Sequence, residues 1–208
     1  MLNKKYYFFH DTETGGLDNG LHKLLELGSA IYDEDGNELE HFQEFLNPLE
    51  ENYKKVTLYA LKVNNCFSRR GDMPYEDSLS VARRYAEWCV SVVKKYNPVL
   101  VGQNINFDVG FTNEFMSEHG FLGWGELFSY HRVDTCVLGY QLIDSGIVQA
   151  KSPSLKNLSD FFQIENPCAH GALEDARTTA KVYFRMKNIF KEFKQLKDEK
   201  SINNNSNL

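Results

Sequence analysis

The stretch from Leu24 to Leu46 constrains the fold most. "LLELGSAIYD" (Leu24 to Asp33) and "ELEHFQEFL" (Glu38 to Leu46) flank "EDGN". Asp-Gly tolerates positive φ at both central positions of a tight turn, so Asp35-Gly36 joins two antiparallel strands. Ahead of them, residues 5–10 are aromatic-rich and read as a buried first strand. Behind them the period changes. Leu79, Ala82, Ala86, Cys89, Val93 and Tyr96 step by three and four, which predicts an amphipathic helix. Glu76 and Asp77 near its start and Lys94 and Lys95 near its end sit where the helix dipole favours them. "PVLVGQN" (Pro98 to Asn104) reads as a fourth strand. It feeds a helix carrying Phe107, Phe111 and Phe115, with Gly120 as its C-terminal cap. "YHRVDTC" holds a short fifth strand. Further helices are expected over 57–65, 134–145 and 154–162, the last capped by Ser154. A long final helix starts near Leu173, with Ala176, Thr179, Tyr183, Met186, Phe190 and Phe193 as its inner stripe. Three strands followed by alternating helices and strands predict an α/β fold: a mixed five-stranded sheet with helices on both faces.

The 208 residues suffice for one well-cored domain. No internal repeat or linker divides the chain, so residues 1–197 are expected to form a single domain and 198–208 a disordered polar tail. Net charge is −6, which weighs against a broad basic groove for duplex nucleic acid but leaves room for a small site. Cys66, Cys89, Cys136 and Cys168 lack C-x-x-C spacing and read as reduced thiols of a cytoplasmic protein. The apolar run before His10 is too short for a secretory signal, and no stretch approaches a membrane span.

Chemistry enters through "HDTETGG" (His10 to Gly16). Residues two apart on a strand share a face, so Asp11 and Glu13 can converge on one ion. "NINFDVGF" puts Asp108 in the first turn of the helix after the fourth strand. "HGALEDA" puts Asp175 at the start of the final helix, five residues after His170. In such sheets ligands sit in the crevice at strand ends. Gathering four carboxylates there costs about 3 kcal/mol per pair at ~5 Å and an effective dielectric near ~20. Either the acids protonate or cations neutralise them, and hard oxygen ligands select Mg²⁺ or Mn²⁺. Taken singly, each acid is an ordinary turn or helix-start residue. An EF-hand is excluded because the twelfth position from Asp11 is His22, not the required Glu.

Together "DTETGG", "NINFD" and "HGALEDA" resemble the three motifs of the DEDDh 3′–5′ exonucleases, and "LELGSA", "RVDT" and "SLKNLSDFF" match their surroundings. The resemblance spans residues 5 to about 190. It implies a ribonuclease H-like fold and hydrolysis assisted by two divalent cations, Mg²⁺ or Mn²⁺. Asp11, Glu13, Asp108 and Asp175 would bind the metal, and His170 would be the general base. In the sister branch a Tyr stands four residues before the last Asp, where this chain has Gly171. Thr12, Thr14, Gly15 and Gly16 would receive the terminal nucleotide and Leu17 would pack on its base, with Asn64, Asn104 and Phe107 also at the substrate. Gln103 and Asn65 depart from the residues common in relatives, which bears on substrate fit rather than chemistry.

The expected partner is a single-stranded 3′ end, DNA favoured, held by aromatic stacking rather than a basic groove. "LYALKVNNCFSRRG" is also similar to the corresponding segment of ribonuclease T-like RNA-trimming enzymes. An RNA substrate, a non-catalytic nucleic-acid-binding module and a ribonuclease H-like endonuclease are therefore the alternatives. A polymerase partner and a homodimer are both left open.

Overall fold

The computed structural model describes residues 4–50, 52, 54–71, 75–167 and 169–205, with side chains omitted at Cys66, Phe67 and 199–205. The expectations on Cys66, Cys168 and positions 206–208 therefore lie wholly or partly outside the described residues. Five strands form one sheet: β1 (Tyr6–Thr14), β2 (Leu24–Asp33), β3 (Glu38–Phe45), β4 (Val99–Gly102) and β5 (Val133–Asp134), in the order β3-β2-β1-β4-β5. β1 is antiparallel to β2 and parallel to β4, so the sheet is mixed as expected. The hairpin turns at Asp35-Gly36, with Gly36 at φ 89°. Asp33 organises it by accepting hydrogen bonds from the amides of Asp35 and Asn37, both at 3.0 Å.

Helices cover both faces: α1 (Leu58–Asn64), α2 (Cys66–Arg70), α3 (Ser78–Tyr96), α4 (Ile105–Glu118), α5 (Thr135–Asp144), α6 (Leu155–Phe162) and α7 (Ala172–Asn205). The alternation along β1 sorts the core. Phe8 joins Leu27, Ile31 and Leu100 under α3 and α4. Tyr7 and Phe9 join Ala30 and Val101 under α7. A third cluster, with Leu142, Leu158 and Met186, locks α5 and α6 onto α7. Ser154 caps α6 as expected, accepting from the amide of Asn157.

Four local expectations change. β1 does not stop at His10 but continues through both acids to Thr14, because β2 keeps pairing with it as far as Leu24. The inner face of α3 is Val81, Ala82, Tyr85, Cys89 and Val92, while Leu79 is 46% exposed. Tyr85 takes the central place because its hydroxyl bonds Ser29 Oγ at 2.8 Å, so the ring is buried without leaving a polar group unmatched. Arg69 and Arg70, which follow the helix expected over 57–65 and read as loop residues, lie in the short helix α2. Finally, α7 runs through Asn205, into the stretch expected to be a disordered tail. Once a helix is nucleated by packing, each added residue gains a hydrogen bond at low cost, and "KEFKQLKDEK" is rich in helix formers.

Candidate active site

β4 accompanies β1 only as far as Phe9, which pairs with Val101. From His10 onward the β4 side of β1 is open, and the acids stand beside that opening. Odd-numbered residues of β1 face α7, so Asp11 and Glu13 point towards the side from which Asp175 arrives. Asp175 reaches it because α7 begins directly over Gly28, the register partner of Asp11. A Cβ on Gly28 would collide with the backbone of Ala172 and Leu173, so only glycine lets the helix start this close. On the other face, the turn Gln103-Asn104 starts α4. Asn104 has φ 58°, and its amide donates to Asp134 at 3.0 Å. Asp108 follows in the first turn, 3% exposed, and its Oδ1 accepts from the Thr12 amide at 2.9 Å and the Thr12 hydroxyl at 2.7 Å.

Two of the four acids, Glu13 and Asp175, come together beside His170. One donor atom each of Glu13, His170 and Asp175 lie within 4.8 Å of one another. Asp11 feels Asp108, Asp175 and Glu13 as like charges; burial first, then these neighbours, push its carboxyl well above the usual range. Burial and then Asp175 push Glu13 up to about 9. Burial pushes Asp108 up to about 7 against the two Thr12 hydrogen bonds. Asp175 is also raised by burial, although Asn166 Nδ2 donates to it at 2.6 Å and the His170 amide at 3.1 Å. His170 adopts φ 65°, and its side chain is exposed. A hollow of about 890 Å³ opens beside His170 and Asp175, lined also by Lys156, Gln163 and Asn166.

The donor set suits a hard divalent cation. Its acids offer carboxylate oxygens, and the buried Asn166 Oδ1 beside Asp175 has no hydrogen-bond partner. Glu13 and Asp175, the two acids that meet, offer carboxylate oxygens to such an ion, and His170 a ring nitrogen.

The residues expected at the substrate divide. Leu17 is 86% exposed and lines an open hollow of about 360 Å³ with Asn106 and the half-buried Phe107. Asn104 is exposed at the α4 turn. Thr12 is committed to Asp108, Thr14 Oγ1 donates to Gly16 O at 2.7 Å, and the Gly15 amide donates to Lys23 O at 2.8 Å. The space a Cβ would need at Gly15 and Gly16 is filled by Lys55 O and the His22 ring, so these glycines accommodate the protein's own chain. Asn64 is buried, and its Nδ2 donates to Thr14 O at 3.3 Å, which ties α1 to the end of β1. Sequence reasoning missed Asn166, Glu26 and Arg69. The signal for Glu26 is visible afterwards: it is the single acid within the apolar run "LLELGSAIY".

The RNase T family, described as exonuclease, matches residues 8–183. The chain belongs to this exonuclease family. It is 29% identical over 178 residues to a PolC-type DNA polymerase III of Pediococcus pentosaceus, covering 84% of this chain and 11% of that one. It is 26% identical to the PolC-type polymerase of Caldanaerobacter subterraneus, covering 85% of this chain and 11% of the relative. Among solved structures it superposes on a zinc-bound E. coli exonuclease I–single-stranded DNA complex with TM-score 0.71 and 20% identity, covering 90% of this chain and 42% of that one. The complex of E. coli exonuclease I with a dT13 oligonucleotide gives TM-score 0.70 and 18% identity, covering 90% and 43%. The fold is ribonuclease H-like, and the chain spans about a tenth of the length of the curated relatives it matches. Among the described residues, no helix is long and apolar enough to cross a membrane.

Proposed function

We propose that this chain is a metal-dependent 3′–5′ exonuclease that removes nucleoside 5′-monophosphates from single-stranded 3′ ends, DNA in preference to RNA. The carrying observation is the approach of Glu13, His170 and Asp175 to within 4.8 Å beside an open hollow. Family membership supports hydrolysis at a chain end. The PolC-type relatives are DNA polymerases by name, and the exonuclease I neighbours were crystallised with single-stranded DNA; both favour DNA.

Divalent cations held by Asp11, Glu13, Asp108 and Asp175 would activate a water and neutralise charge developing on the scissile phosphate. The protein's own groups do the rest. Asp11 would hold both ions, Glu13 and Asp175 the one that activates the water, and Asp108 the other. His170, exposed and next to Glu13 and Asp175, accepts the water's proton at a ring nitrogen and must be uncharged to do so. Leu17, Asn106 and Phe107 line the hollow that takes the terminal base. Thr12 holds Asp108 in place from the strand that carries Asp11.

Digestion of matched 3′-labelled and 5′-labelled single-stranded DNA, RNA and duplex, with Mg²⁺ and with EDTA, tests the reading. Expected are immediate release of labelled mononucleotide from the 3′ end of single-stranded DNA and no release in EDTA. Faster RNA digestion overturns the sugar preference. Cleavage of a substrate with a blocked 3′ phosphate overturns the exonuclease direction. Metal-independent cleavage, or none, overturns the whole reading.

A further inference from the structure

Glu13 and Glu26 are register partners on β1 and β2. Directly opposed residues share a face with their Cβ atoms ~4.5–5.5 Å apart. A fifth carboxylate, fully buried, thus lies against the acid set. Its partners set it apart. Gln43 Nε2 donates to Glu26 Oε1 at 2.8 Å, and Arg69 Nη1 lies 2.6 Å from Oε2 as an ion pair rather than an aligned hydrogen bond. Arg69 is itself held firmly. Its Nε donates to Asn64 O at 2.6 Å, and its guanidinium lies 5.6 Å from the Phe45 ring centroid.

We propose that Arg69 is a positioning residue that withholds Glu26 from the metal-binding acids, so that the facing glutamates offer Glu13 alone to the ions. The inference rests on the metal-dependent reading above. A buried carboxylate without a counter-charge either becomes neutral or captures a cation. Beside a cluster built to bind divalent ions, capture draws the ion away from Asp11 and Asp175. Arg69 touches Glu26 directly, from a helix linked by Asn64 to the end of β1, and its positive charge balances the fifth negative one and also reaches Glu13 and Asp175.

Mn²⁺ binding measured by calorimetry on wild type, Arg69→Gln, Glu26→Gln, Arg69→Lys and the Arg69→Gln/Glu26→Gln double variant tests this, with single-strand cleavage read alongside. Arg69→Gln should bind Mn²⁺ about tenfold more tightly and yet cleave more slowly, while Glu26→Gln should bind about tenfold more weakly, each being one charge at short range. The double variant and Arg69→Lys should bind as wild type does. A purely structural role would weaken binding in both single variants. Shifts of the same sign, or no shifts, therefore overturn the proposal. If Arg69→Gln does not fold, Glu26→Gln and Arg69→Lys still decide: equal effects in the two, or wild-type affinity in Glu26→Gln, overturn it. Wild-type protein that neither binds Mn²⁺ nor cleaves refutes the metal reading and this inference with it. Wild type that does both, with unshifted variants, refutes the role of Arg69 alone.

Discussion

Two buried polar clusters meet on β1, and they are built on opposite principles. On the α4 side, His10 is 1% exposed and fully partnered. Its Nε2 meets Thr112 Oγ1 at 2.8 Å, and its Nδ1 meets Ser29 Oγ at 2.9 Å, with Tyr85 closing the ring. Burial lowers its pKa to about 3, so the imidazole stays neutral and behaves as core. One residue later, Asp11 begins a cluster whose members repel one another. There burial raises the acids, and hydrogen bonds from Thr12, Asn166 and the His170 amide only partly oppose it. Matched neutral groups make a fold unique. Gathered like charges have no folding rationale and call for a cation.

The contrast breaks most sharply at Asp11. Asp11→Asn should lower cleavage of a 3′-labelled oligonucleotide about a thousandfold or more, since a metal ion contributes several kcal/mol to such a reaction. Its melting temperature in EDTA should rise, because one repelling charge is gone; a fall would place Asp11 among the structural polar groups. His170→Ala should cost roughly a hundredfold in rate, the low end of general-base effects, with little loss of stability from so exposed a residue. Wild-type activity in that variant would remove His170 from the chemistry.

Stability against pH sharpens the same comparison, because the two clusters slope in opposite directions. The folded pKa of His10 lies below its ordinary value, so its contribution is complete above about pH 6.5 and is lost as pH falls towards 3. The acids are raised. Their contribution is complete below about pH 4 and is lost as pH rises through 7 for Asp108 and 9 for Glu13. Between pH 6.5 and 9 the acids alone set the slope. Melting curves in EDTA should therefore fall across that window by about 1.4 kcal/mol per pH unit and proton, and Mg²⁺ should flatten them. A slope unaffected by Mg²⁺ would mean that these acids are not its ligands. The smallest effect belongs to the matched cluster. Thr112→Val leaves one imidazole nitrogen unpartnered and should cost about 1–3 kcal/mol, seen as a lower melting temperature with Mn²⁺ affinity unchanged.

Each acid could be picked out because it sits in a short motif, Asp11 and Glu13 in the last part of β1 and Asp108 and Asp175 in the first turn of a helix. What the sequence hid depends on pairing across elements. Periodicity ends β1 at His10, because Asp11 and Glu13 break the apolar pattern; only the partners on β2 carry the strand on to Thr14. Glu26 looks like one polar residue in a strand until the register sets it opposite Glu13. Arg69 reads as a loop cation until α2 folds it over Phe45. Gly15 and Gly16 suggest room for a nucleotide, whereas His22 and Lys55 occupy that space. In α3, counting Leu79 as an inner residue and passing over Tyr85 misplaced the buried stripe by part of a turn, since a tyrosine with a hydroxyl partner outcompetes a leucine at the helix end.

Asp108 carries a burden that the other acids do not. Where β4 leaves off, its carboxylate takes the amide of Thr12, the kind of bond a neighbouring strand would otherwise supply. One side chain therefore finishes the sheet edge and stands among the repelling acids. Anyone wanting a disarmed form to trap a bound oligonucleotide should avoid this position. Replacing it by alanine would leave the Thr12 amide without this partner, on the strand that carries Asp11 and Glu13, and the captured complex would report a distorted cradle.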